Sequence, residues 1–149
     1  MAWALRKSWN AGGFPRCIAN PMVKPIVVLA EDDPGVRRLF ERVLSAAGYK
    51  VLPAMDVREA MDCLLRPGVR AAVLDMLFTN SGGRSGLDLL RFIRGDALLL
   101  HLPVIVLTGF QLNRDVTLQI EAHRAQVWHK PVDLLQFVKR LDELVQRTP

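Results

Sequence analysis

From Lys24 to its end the chain alternates short apolar runs with amphipathic stretches. "PIVVLAEDD" stays apolar until it closes in acids, which suits a strand covered on both faces. "PGVRRLFERVLSAAG" brings Val36, Leu39, Phe40, Val43 and Leu44 onto one helical face, and Gly48 supplies a stop. "YKVLPA" predicts a short strand. "DVREAMDCLLRPG" predicts a helix capped by Asp56, with Val57, Ala60, Met61, Leu64 and Leu65 turned inward. "RAAVLD" reads as a strand, "SGLDLLRFIRG" as a helix and "LPVIVLTG" as another fully apolar strand. "NRDVTLQIEAHRA" is a more polar helix, "QVWHK" a short strand and "VDLLQFVKRLDELVQR" a closing amphipathic helix.

This alternation predicts an α/β fold: a parallel sheet with helices on both faces, joined by right-handed crossovers. The periodicity does not set the strand order. In such sheets, sites gather just beyond the carboxyl ends of the strands.

Residues 1–24 break the pattern. Gly12, Gly13, Pro15 and Pro21 interrupt any period, which predicts a flexible N-terminal extension over 1–24 and a domain over 25–149. Trp3 and Trp9 make a short partner-binding arm the other reading, and Met22 a later start. With 149 residues, half of them hydrophobic and 23% charged, the chain suits one well-buried globular domain. No apolar run approaches membrane-spanning length and no signal-peptide core opens the chain, so the cytoplasm is the expected compartment. Cys17 and Cys63 lack metal-like spacing and read as reduced thiols. The net charge of +5 is concentrated in the leader, where Arg6, Lys7, Arg16 and Lys24 meet no acid. The remainder holds 16 bases against 15 acids, which argues against a nucleic-acid-binding face.

The residues with chemistry to offer stand just beyond the strand ends. Glu31, Asp32 and Asp33 come after the first strand, Asp75 after the third, Thr108 after the fourth, and Lys130 with Pro131 after the fifth. Clustered carboxylates repel one another unless a cation sits among them. Hard oxygen donors suit Mg²⁺. A carboxylate flanked by metal, lysine and hydroxyl is equipment for stabilising a transferring phosphoryl group, with Asp75 as nucleophile.

The segments "VVLAEDDPGVRR", "AAVLDM", "VIVLTG" and "HKPVDLLQFV", in that order, resemble a two-component response-regulator receiver domain over about Pro25 to Arg147. The resemblance implies a flavodoxin-like (βα)5 three-layer sandwich with strand order 2-1-3-4-5. It also implies phosphotransfer to Asp75, with Mg²⁺, from a histidine kinase or phosphotransfer protein. Glu31 and Asp32 resemble the family's acid pair, in a register fixed by Arg37, and Asp33 falls in the variable position next to them. The resemblance implies that Asp32, Asp75 and the backbone carbonyl of Leu77 hold Mg²⁺, with Glu31 acting through water. Thr108 would donate its hydroxyl to a phosphoryl oxygen, and Lys130 would pair with another. Pro131 resembles the neighbour whose peptide bond is often cis.

Three departures stand out. Thr79 takes a position usually held by proline, and Gly86 is reached only eleven residues after Asp75, later than in the family. The resulting loop is long, rich in glycine and serine, and expected to be more mobile. Val127 occupies the place of an aromatic three residues before Lys130, with Trp128 beside it, so the ring that commonly swings inward with Thr108 is missing. Leu77 and Phe110, at two positions that tend to tune phosphoryl lifetime in the family, are apolar and cannot orient water.

His101, His123 and His129 have no ligand spacing, and the glycine pairs form no phosphate loop. The chain ends soon after the last helix, so a single-domain response regulator is expected. It would catalyse only its own phosphorylation and dephosphorylation and signal by binding a protein target. A homodimer would use the face of the last two helices and the strand between them. The alternative is a phosphorylation-independent pseudo-receiver. A phosphatase or hydrolase fits poorly, because no acid stands two residues after Asp75 and no glycine elbow is present.

Overall fold

The computed structural model describes residues 23–148. Most of the expected extension, with Trp3, Trp9, Cys17 and Met22, therefore lies outside the described residues. The elements are β1 (Ile26–Ala30), α1 (Pro34–Ala46), β2 (Lys50–Ala54), α2 (Val57–Leu64) and β3 (Val69–Asp75). They continue with α3 (Gly86–Gly95), β4 (Val104–Thr108), α4 (Arg114–Ala122), β5 (Gln126–His129) and α5 (Leu134–Arg147). The five strands form one parallel sheet in the order β2-β1-β3-β4-β5. This is the flavodoxin-like arrangement that the resemblance implies.

Side chains alternate across a strand, so a strand buried on both faces must be apolar at every position. Here the alternation feeds two cores. Val28, Ala30, Ala72, Leu74, Val104 and Val106 pack on one face with α2, α3 and Ile120 of α4. Val27, Leu29, Ala71, Val73, Ile105 and Leu107 pack on the other with α1 and α5. Edge strand β2 accommodates Pro53, whose missing N–H would be a defect in a central strand.

Two apolar residues depart from the sequence reading. Leu39 is 47% exposed, because α1 buries a narrow stripe through Phe40 and Leu44. Leu65 is 58% exposed because α2 ends at Leu64 and the chain then leaves the core. The expected polar character of α4 is present: Ile120 is its one fully buried side chain.

The helices begin where short polar side chains meet free backbone N–H groups. Asp33 accepts from Val36 N, Asp56 from Glu59 N, Asn113 from Val116 N, and Asp133 from Leu135 N and Gln136 N. Ser85 and Asp88 form a capping box on α3. Asp33 thus has a local task as the cap of α1, which separates it from the two acids before it.

Phe137 anchors α5. Its ring lies edge-on to Phe40 of α1 at 5.2 Å and to Trp128 of β5 at 5.7 Å, and it is fully buried. Phe137→Ala is expected to destabilise the domain by about 3–5 kcal/mol. Equilibrium urea unfolding of the variant beside the parent measures this.

Candidate functional site

The order β2-β1-β3-β4-β5 reverses its direction of growth between β1 and β3, and crevices open at such points beyond the strand ends. Glu31 and Asp32 leave the end of β1, and Asp75 ends the neighbouring β3. Thr108 ends β4, and Lys130 comes directly after β5, its backbone N–H donating to the Thr108 carbonyl at 2.8 Å. The Lys130–Pro131 peptide bond is cis.

Glu31, Asp32 and Asp75 each bring a carboxylate oxygen to a common point, all within 4.8 Å of one another. The Lys130 ammonium reaches into this group, 2.7 Å from Glu31 Oε2 and 3.4 Å from Asp75 Oδ1. Glu31 is 1% exposed. Burial pushes its pKa up to about 7, an effect that the Lys130 hydrogen bond opposes and the nearby Asp75 charge reinforces. Burial alone would lower the pKa of Lys130. The Glu31 hydrogen bond and the pull of Asp75 outweigh it and hold the ammonium above its usual range. One lysine does not neutralise three carboxylates. The hard-oxygen donor set suits a divalent cation of the Mg²⁺ kind.

Two features hold the acids in place, and the sequence reading missed both roles. Arg37 Nη1 donates to the backbone carbonyls of Glu31 at 3.0 Å and Asp32 at 3.3 Å, clamping the turn between β1 and α1. Thr79 donates to Asp32 Oδ2 twice, from its backbone N at 2.8 Å and from Oγ1 at 2.7 Å. Burial would raise the Asp32 pKa, but the two Thr79 hydrogen bonds outweigh it and lower it. The signal in the sequence was a hydroxyl at a position usually filled by proline.

The long loop after Asp75 is anchored at several points. Leu77 makes an antiparallel bridge with Ser85, and Ser81 Oγ accepts from Val57 N at the start of α2. Gly82 and Gly83, with φ of 59° and 82°, form its tip in the left-handed region. The return to the sheet is tight. A Cβ on Gly86 would lie 2.3 Å from the Asp75 carbonyl oxygen, so only glycine lets α3 start against the end of β3.

The remaining expected site residues divide. Thr108 is fully buried, and its hydroxyl donates to the Phe110 carbonyl at 2.9 Å and accepts from Phe110 N at 3.3 Å. Leu77 and Phe110 are 55% and 42% exposed. Val127 packs on the core face beside α4, whereas Trp128 faces the opposite core. Trp128 therefore cannot stand in for a ring at 127. His101 and His129 are exposed, and His123 caps the end of α4.

Residues 27–142 match the family of the response regulator receiver domain. The chain is 32% identical over 124 residues to the response regulator MprA of Mycolicibacterium vanbaalenii, covering 82% of this chain and 51% of that protein. It is 27% identical over 129 residues to the phosphate regulon transcriptional regulatory protein PhoB of Pseudomonas aeruginosa, covering 85% and 54% respectively. The chain thus spans about half the length of the curated relatives it matches. Chemotaxis protein CheY4 of Vibrio cholerae shares the fold, with a TM-score of 0.71, 22% identity and coverage of 82% of this chain and 99% of that one. A CheY-like receiver domain protein of Methanospirillum hungatei does so at a TM-score of 0.74, 18% identity and coverage of 83% and 95%.

The contact at Gly86 gives a test of the site's framework. Gly86→Ala is expected to lower stability by about 1–3 kcal/mol, since the backbone of β3 or α3 must shift. Gly95→Ala, where a Cβ meets nothing within 4 Å, is expected to be neutral or mildly stabilising. Denaturant midpoints of the two variants measure the contrast.

Proposed function

The chain belongs to the response-regulator receiver-domain family, and from that premise we propose that Asp75 accepts a phosphoryl group from a histidine kinase or phosphotransfer protein. The observation that carries this reading is the meeting of Lys130 with Glu31 and Asp75 beside Asp32 at the end of the sheet. An Asp75 carboxylate oxygen forms the new P–O bond as the P–N bond of the donor's phosphohistidine breaks. The electron pair leaves with the imidazole nitrogen, which takes a proton from solvent. Asp32, Asp75 and the Leu77 carbonyl would hold Mg²⁺, with Glu31 reaching it through water; the cation supplies charge neutralisation for the transferred group. Lys130 would pair with one phosphoryl oxygen. Thr108 would give another its hydroxyl, exchanging the Phe110 carbonyl for the new acceptor.

The output arises from the same exchange. Turning the Thr108 hydroxyl changes the restraint on the turn at 108–110, which leads into α4. The face of α4, β5 and α5 would then present a changed surface to a protein target or a second copy, in the cytoplasm. The domain acts on no substrate but its own aspartyl phosphate. A phosphorylation-independent binding module is the second reading, favoured by Val127, which leaves no ring to move inward with Thr108.

Intact mass after incubation with a small phosphoryl donor and Mg²⁺ tests the proposal. One added phosphoryl group is expected, absent from Asp75→Asn and from a chelated sample. No added mass under conditions that preserve acyl phosphates supports the second reading instead. Leu77 and Phe110, at the two positions that tend to tune phosphoryl lifetime in the family, are apolar and orient no water for attack on phosphorus, so slow hydrolysis is expected. The decay of the phosphorylated mass over time reads this directly. A half-life of seconds overturns it.

A further inference from the structure

We propose that Thr79 is a positioning residue that holds Asp32 for the cation and couples cation binding to the loop after β3. This rests on the receiver reading of Asp32 and Asp75. A carboxylate has two oxygens. Thr79 takes Oδ2 of Asp32 with two donors, leaving the other oxygen without those bonds. Carboxylates that ligate metals are commonly fixed in this way by an outer partner, whose removal typically costs 10–100-fold in affinity.

The hold on Asp32 crosses from one strand end to another, because Thr79 stands beyond β3 and Asp32 beyond β1. Four residues after the acceptor, Thr79 lies on the same short segment as Leu77, whose carbonyl is the expected backbone ligand. Two residues further on, Ser81 ties the segment to the start of α2. A cation held by Asp32 therefore stiffens a path from β1 through Thr79 to the exposed turn at Gly82–Arg84 and the first residues of α2. Coupling of this kind is reciprocal: what orders the loop tightens the cation, and the cation orders the loop. The extra length of the loop gives Thr79 and Ser81 separate anchors.

The test uses the full chain and MgCl₂ alone. Calorimetric titration is expected to show Mg²⁺ affinity weakened about tenfold in Thr79→Val, which loses the Oγ1 bond, and retained in Thr79→Ser. Limited trypsin digestion reads the coupling. Mg²⁺ is expected to slow cleavage after Arg84 in the parent and in Thr79→Ser, and much less in Thr79→Val, with fragments assigned by mass. Thr79 is exposed, so Thr79→Val should fold, and far-ultraviolet circular dichroism verifies that it does. Equal Mg²⁺ affinity and equal protection in Thr79→Val overturn the role of Thr79 while the receiver reading stands. A parent chain that takes up no Mg²⁺ overturns both.

Discussion

The meeting of Lys130 with Glu31 and Asp75 is the constraint around which this domain is organised. Two carboxylates at the end of a hydrophobic sheet repel each other in a poorly solvated place, and Glu31 has almost no water of its own. The ammonium arrives from the far side of the sheet, across the whole width of β4. The four strands from β1 to β5 in the sheet, β1, β3, β4 and β5, must therefore be in register before the ammonium meets the carboxylates. The balance is incomplete, and the remaining negative charge on Glu31, Asp32 and Asp75 suits a hard divalent cation among these oxygens.

Much of this arrangement was legible in the sequence. Continuous apolar runs mark strands buried on both faces, and acids, a hydroxyl and a lysine at their ends mark the site edge. What stayed hidden depends on separations or rotations that no period records. Thr79 and Asp32 lie 47 residues apart, and nothing local announces their contact. The resemblance sets Asp33 apart from the acid pair, but its task of capping α1 appears only in the folded chain. Leu39 and Leu65 fit a helical stripe, yet the true stripes are narrower, or end sooner, than the pattern allows. The direction of the Thr108 hydroxyl is set by rotation about a single bond, which sequence cannot specify.

The pair Val127–Trp128 shows how strictly a sheet divides its two faces. Moving an aromatic by one position does not displace it slightly; it sends the ring through the sheet to the other core. Trp128 consequently joins Phe137 and Phe40 in fastening α5 and α1, while the face beside α4 receives only a branched aliphatic chain. This aromatic packing thus falls on the face of α1 and α5, and the face beside α4 has Val127 without a ring.

The two borders of the sheet bear on how other molecules can approach. At one border, β2 has five residues with exposed Lys50 and Pro53; at the other, β5 has only four residues. A short border interrupted by proline or charge is a poor template for an added strand. Recognition of this domain is thereby directed away from main-chain hydrogen bonding and toward side chains on helices and loops.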